Sequence, residues 1–230
     1  MSAVESFRLL HARRQAALRR ACPFRRLCAA VLLLVVVLML LPLAAFAEVP
    51  REANAWRRHL TRSAVSVWGV TAPIAAFAAQ IEQESDWNPA AKSTAGAQGM
   101  AQFMPTTAAW IDDIYPELGA AKPLDPRWAI TALVQYDRWL WERLADTAND
   151  CERFAFVLAG YNGGLGWVHK ARRRAADATL DARRWFTVVE LINPGRADWA
   201  QTENRRYPAR ILHVLEVRYL AAGWRPGICH

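Results

Sequence analysis

The sequence predicts a mainly α fold with one folded domain, and three observations carry that prediction. Helix-starting and helix-stopping residues punctuate the chain, the apolar residues between them recur at helical spacing, and no segment keeps a period of two between turn signals. With 230 residues, 53% of them hydrophobic, the chain can bury one sizeable core and is too short for two large ones. A charged fraction of 22% excludes disorder throughout.

The first 47 residues stand apart. They hold seven arginines and one acid, Glu5, then an unbroken apolar run from Cys28 to Leu41, Pro42, and Ala45-Phe46-Ala47. A positive stretch, an apolar stretch and a small-x-small tripeptide describe a secretory signal, with cleavage expected after Ala47. Cys28 to Ala47 is also 20 residues, long enough to span a bilayer, so an uncleaved inner-membrane anchor is the alternative. Either way residues 48–230 are expected outside the cytoplasm, periplasmic or exported.

The leader also explains the charge. The chain is +8 overall, of which +6 lies in residues 1–47, leaving +2 for the rest. No nucleic-acid partner is therefore expected. Lys170 to Arg174, with Arg183 and Arg184, form a local basic cluster that reads as a solvated helix face or as an attraction for an anionic polymer. Cys22 and Cys28 belong to the leader. Cys151 and Cys229 remain, and in an oxidising compartment they are either a disulfide or two buried thiols.

Along residues 48–230 the elements follow in order. Residues 54–68 have helical composition and stop at Gly69. Thr71 offers a cap, with Pro73 in the first turn of a helix running through Ile74 and Ile81 to Glu84. Trp87 to Gly99 has loop chemistry: Asn88-Pro89, Ser93-Thr94, Gly96 and Gly99. Pro105-Thr106 opens a short helix reaching Tyr115. Asp125-Pro126 opens a long one ending near Ala148, with Ile130, Leu133, Val134, Trp141 and Leu144 at helical period. Cys151–Gly160 is a short apolar helix, followed by a loop from Tyr161 to Gly166. Residues 167–176 and 184–191 are helical, and a last helix runs from about Arg206 to Ala221. The eleven tryptophans read as core packing, the alternative being a groove that stacks sugar rings or peptide against some of them. No Cys/His metal spacing, phosphate loop or Ser-His-Asp order is present, so no metal or cofactor is expected; His213 reads as a packed or surface histidine.

The chemistry concentrates in Ile81-Glu82-Gln83-Glu84-Ser85-Asp86. A helix turns about 100° per residue, so the three acids do not share a face. Glu84, three residues past Ile81 and seven past Phe77, falls on the apolar side, whereas Glu82 and Asp86 are expected in solvent. A carboxyl group at the end of an apolar helix is poorly solvated, which raises its pKa toward that of a general acid working near neutrality. On spacing alone, a surface or capping glutamate fits as well.

The run Glu84-Ser85-Asp86-Trp87-Asn88-Pro89, followed by Ser93-Thr94-Ala95-Gly96-Ala97-Gln98-Gly99-Met100-Ala101-Gln102-Phe103-Met104-Pro105-Thr106-Thr107-Ala108, resembles the soluble lytic transglycosylase family in order and spacing. Asp125-Pro126, Tyr161-Asn162-Gly163-Gly164 and Glu203-Asn204-Arg205-Arg206-Tyr207 resemble further segments of it, so the resemblance covers roughly residues 72–215. The departures are Met100-Ala101 for Leu-Met, Gly160 and Gly163 for alanines, Leu165 for proline, and Pro208 where valine is common. The extra glycines are expected to loosen the Tyr161 loop.

The resemblance implies a lysozyme-like (goose-type) fold and cleavage of peptidoglycan between N-acetylmuramic acid and N-acetylglucosamine. It implies Glu84 as the single acid/base, with the muramyl 6-hydroxyl as nucleophile and a 1,6-anhydro product. It places Ser93, Gln102, Met104, Tyr161, Asn162, Glu203 and Tyr207 along a glycan groove, with Tyr161 or Tyr207 hydrogen-bonding Glu84 or the reacting sugar. Core packing is the alternative for Met104. A hydrolase on the same fold, or a non-enzymatic wall-binding subunit, are the competing readings. The expected partner is the glycan strand, met by a monomer. A catalytic domain with no separate wall-binding module suits a local role, such as clearing wall for an envelope-spanning secretion or conjugation apparatus.

Overall fold

The computed structural model describes residues 48–230; the leader, its cleavage site and the anchor alternative lie outside them. The helices are α1 (Arg51–Trp68), α2 (Ile74–Ser85), α3 (Pro105–Ile114), α4 (Pro126–Arg143), α5 (Asp150–Gly163), α6 (Leu165–Asp177), α7 (Asp198–Arg210) and α8 (Glu216–Ala221). Short 3₁₀ turns occupy Pro116–Leu118 and Val189–Leu191, and a π-helical stretch, Ile211–Leu215, joins α7 to α8. No strand occurs among the described residues; isolated bridges pair Gln98 with Lys92 and with Phe103. None of the described helices is long and apolar enough to cross a membrane.

α2 is the axis of the fold. Every residue from Ile74 to Ile81 is buried, which a helix survives only when neighbours cover it on all sides. α1, α8 and the π stretch supply that cover, while α4 packs on α1 and α5, and α5 on α6 and α7. The core they enclose is aromatic, with Phe77, Phe154 and Phe156 fully buried beside Trp87, Trp185 and Trp224. Trp87 donates from its indole to Tyr219 Oη at 2.7 Å, so its one polar atom is satisfied inside.

Several boundaries differ from the sequence expectation, each for a local reason. α2 begins at Ile74 with Pro73 as its cap, and Thr71 takes no part. α4 does have Asp125 as cap, its carboxylate accepting from the backbone N–H of Arg127 at 2.8 Å. It ends at Arg143, short of Ala148, because the Arg172 guanidinium binds the Ala145 carbonyl at 3.2 Å and also that of Asp146, which holds the next residues in a turn. Residues 184–191 are turns apart from the Val189–Leu191 3₁₀ segment. There the backbone N–H groups of Trp185 and Phe186 donate to the Glu152 carboxylate at 2.6 and 3.0 Å, in place of helical partners. The last helical stretch starts at Asp198, eight residues before the expected Arg206.

The expected loop at Tyr161 is helical. α5 continues through Tyr161, Asn162 and Gly163 and breaks only at Gly164, whose φ is +94°. Gly163 does not loosen anything: a Cβ there would collide with Arg196 Nη1 and with Asn204 Nδ2, so its missing side chain is what lets α7 approach α5 closely. Gly99 is equally constrained, with φ +74° and the Pro123 carbonyl lying where a Cβ would stand. Cys151 of α5 and Cys229 near the C-terminus are joined by a disulfide, 78 positions apart in sequence.

Candidate active site

α2 ends where the chemistry begins. Asp86 caps the helix in the left-handed region at φ 53°, and Trp87 follows at φ 64°, conformations uncommon for residues with a side chain. The turn is held because Trp87 is buried and because Ser85 Oγ donates to the Met100 carbonyl at 2.9 Å. The loop from Ser93 to Phe103 is thereby fastened under the last turn of α2. Within it Ser93 closes a tight turn, its Oγ accepting from the Ala97 N–H at 3.0 Å. Gln102, at φ 47°, spends its amide on the carbonyls of Gly99 (2.9 Å) and Ala91 (3.3 Å).

Glu84 sits on the last turn of α2 at the floor of an open cavity of about 550 Å³, lined by Gln83, Glu84, Asn162, Trp199, Thr202, Glu203, Arg206, Tyr207 and Arg210. The Tyr207 hydroxyl, on α7, donates to Glu84 Oε1. The Glu84 side chain is partly buried and its carboxyl lies in the poorly solvated part. Burial pushes its pKa up to about 8; the Tyr207 hydrogen bond opposes that, and the nearby Glu203 carboxylate adds to it. Tyr207 itself is 6% exposed, and burial and the neighbouring Glu84 hold its phenol well above the ordinary range.

One relay crosses the cavity wall. Buried Asn204 donates from Nδ2 to the Ala159 carbonyl at 2.8 Å and to Asn162 Oδ1 at 3.0 Å, and Asn162 Nδ2 donates in turn to Glu203 Oε1 at 3.0 Å. The amide orientation of Asn162 is thus fixed from inside, and Glu203 is held at the rim. Pro208 follows Tyr207 inside α7; it lacks an N–H, and the helix widens into the π stretch at Ile211 directly afterwards.

Of the residues named from the sequence, the structure brings Glu84, Asn162, Glu203 and Tyr207 together. Tyr161 lies behind them: its hydroxyl donates to the Ala101 carbonyl at 2.6 Å, and its phenol too is raised, by burial and by Glu84. Ser93 and Gln102 face the loop's own backbone, and Met104, 40% exposed, precedes α3; none of the three lines the cavity. Glu82 is not in solvent: it pairs with Arg218 and accepts from Tyr219 Oη at 2.8 Å, because α8 covers that face of α2. Asp86 is exposed. Gln83, Trp199, Thr202, Arg206 and Arg210 were not foreseen. Trp199, 73% exposed, had a signal in the excess of tryptophan, and Trp199, Thr202, Arg206 and Arg210 share a face of α7 at spacings of three and four. No cluster of metal-ligating side chains occurs among the described residues.

Comparison with known proteins places these features in a family. The model described as the transglycosylase SLT domain matches residues 68–183, which include Glu84, the Ser93–Phe103 loop and Asn162. A membrane-bound lytic murein transglycosylase F of Shewanella frigidimarina is 36% identical over 116 residues, covering 50% of this chain and 23% of that protein. One from Vibrio cholerae is 34% identical over 163 residues, covering 64% of this chain and 29% of that protein. This chain therefore spans less than a third of the length of those two relatives. Among solved structures, the 70 kDa soluble lytic transglycosylase of Escherichia coli is similar with a TM-score of 0.52 and 26% identity, over 70% of this chain and 23% of that one. The complex of the 70-kDa soluble lytic transglycosylase with bulgecin A gives 0.56 and 26%, over 78% and 26%.

Proposed function

The chain belongs to the SLT transglycosylase family, and from that membership we propose that it is a peptidoglycan lytic transglycosylase with Glu84 as its one acid/base. The observation that carries this reading is a carboxyl group whose pKa burial pushes up to about 8, lining an open cavity of about 550 Å³, with a phenol donating to one of its oxygens. Since Tyr207 occupies Oε1, the proton belongs on Oε2.

The steps follow from that arrangement. Glu84 gives its proton to the oxygen linking N-acetylmuramic acid to N-acetylglucosamine, and the C1–O bond breaks as positive charge builds on the muramyl ring. The carboxylate so formed, steadied by the Tyr207 hydroxyl, accepts the proton of the muramyl 6-hydroxyl. That oxygen bonds to C1 and closes a 1,6-anhydro ring. Glu84 is protonated again at the end, so no second carboxylate is required; substrate-assisted glycosidases are the recognised precedent for departing from the two-carboxylate scheme. Glu203 is the other acid in the cavity lining, and it is exposed and tied to Asn162, where it holds the rim and raises Glu84. Asn162, Glu203 and Tyr207 line the glycan groove; Ser93, Gln102 and Tyr161 brace the loop beneath the end of α2, and Met104, exposed before α3, stands outside the lining. The enzyme works outside the cytoplasm behind the 1–47 leader, and the curated relatives named as membrane-bound are consistent with an envelope location.

The test is mass spectrometry of the products from purified cell wall. Anhydro-muramyl ends without new reducing ends are expected, and Glu84→Gln is expected to abolish them. New reducing ends would favour the hydrolase, and an active Glu84→Gln protein would remove Glu84 from the mechanism.

A further inference from the structure

Gln80 is the one polar residue in the buried run of α2, and it stands one helical turn before Glu84, on the same face. Its partner is Asp137 of α4. Both residues have zero exposure, and Gln80 Nε2 donates to Asp137 Oδ1 at 3.4 Å. Two atoms of this pair are left without a hydrogen bond: Gln80 Oε1 and Asp137 Oδ2. Both are acceptors when the acid is ionised, and burying two unmatched acceptors beside a charge is costly. A single proton on Asp137 Oδ2 resolves the mismatch, because the acid then donates where the amide can accept.

We propose that Asp137 is a positioning residue for Glu84, a neutral carboxylic acid that closes a two-bond pair with the Gln80 amide and so fixes the roll of α2 beneath the cavity. The proposal rests on the reading of Glu84 as the acid. Whatever sets the rotation of Gln80 sets that of Glu84 one turn later, and a neutral acid does so without adding a second negative charge behind the first. The titratable groups that act on Asp137 or are acted on by it are Glu84 of α2, Tyr136 of its own helix, Tyr161 of α5 and Tyr207 of α7. Among the described residues no lysine, arginine or histidine lies within ion-pair distance of it. Burial, opposed by the Gln80 hydrogen bond and reinforced by Glu84, keeps its carboxyl well above the usual carboxylate range, in accord with that geometry.

The experiment compares the wild type with D137N, D137L and E84Q, each as the full chain. The infrared difference between wild type and D137N at neutral pH is expected to contain the carbonyl stretch of a protonated carboxylic acid. D137L is expected to lose on the order of 10- to 100-fold in kcat with KM nearly unmoved, since it displaces the acid without touching the groove. D137N, which offers N–H where the acid offers O–H, is expected to recover most of that loss and to keep the alkaline limb of the pH profile in place. A carboxylate band in place of the acid band, a D137L enzyme at wild-type kcat, or a D137N profile whose alkaline limb moves to lower pH would each overturn the proposal. If D137L does not fold, the infrared difference and D137N decide the matter. Full activity in E84Q would instead sink the reading of Glu84, while the infrared signal would still report on Asp137.

Discussion

Glu84 is governed by the balance between desolvation and one hydrogen bond. The Tyr207 hydroxyl favours the carboxylate, so removing it should raise the Glu84 pKa beyond about 8. Tyr207→Phe is therefore expected to move the alkaline limb of the kcat profile to higher pH while lowering its maximum, which a pH–rate series on isolated glycan strands would measure. In the wild type that limb should fall about tenfold per pH unit above 8. The same shift sets a stability trend. Glu84 binds its proton more tightly in the native state than in the unfolded chain, whose value is near 4.5. Its contribution is thus complete below 4.5 and is lost as pH rises through about 8. Glu84→Gln lacks that loss, so its Tm relative to the wild type should climb between those two pH values. A flat difference in calorimetry would contradict the assigned environment.

At the scale of elements, the site depends on how closely α5 and α7 meet. Gly163 leaves the space that Asn204 and Arg196 fill, and Asn204 orients Asn162 toward Glu203. Gly163→Ala should therefore cost about 1–3 kcal/mol by overpacking and reduce kcat as well, because the relay moves with the helices. Urea unfolding and the rate on glycan strands test both parts. This joint shows where sequence reading stops. Gly163 and Gly164 carry a turn signal in any local reading, and the tertiary partner converts the first into a packing residue inside a helix. Glu82 makes the same point: helical spacing turns it away from Glu84, and only the arrival of α8 makes that direction an interior with Arg218 waiting. The helix start at Asp125-Pro126 was legible because its cause lies within three residues, whereas the Asn149 cap of α5 was not read.

For the whole molecule, the Cys151–Cys229 bond ties the C-terminal segment to α5 across 78 positions. The chain-entropy model assigns a loop of that length about 4 kcal/mol. A C151S/C229S variant should lose stability of that order in denaturant unfolding, and reducing agent should lower the wild type toward it. Activity at low temperature should change little, since neither cysteine lines the cavity. The helical class, the Ile74–Ile81 helix and the acid at its end were legible in the sequence, because periodicity and desolvation are properties of short stretches; that this helix is covered on all sides came from the fold. The motif from Glu84 to Ala108 added the family. What required the fold was the choice of wall. Gln83, Trp199, Thr202, Arg206 and Arg210 reach the cavity because α7 crosses the end of α2, and Asp137 meets Gln80 because α4 runs behind it. Residues within one turn see each other through the backbone, so their chemistry can be read from order alone. Residues more than fifty positions apart meet only through packing.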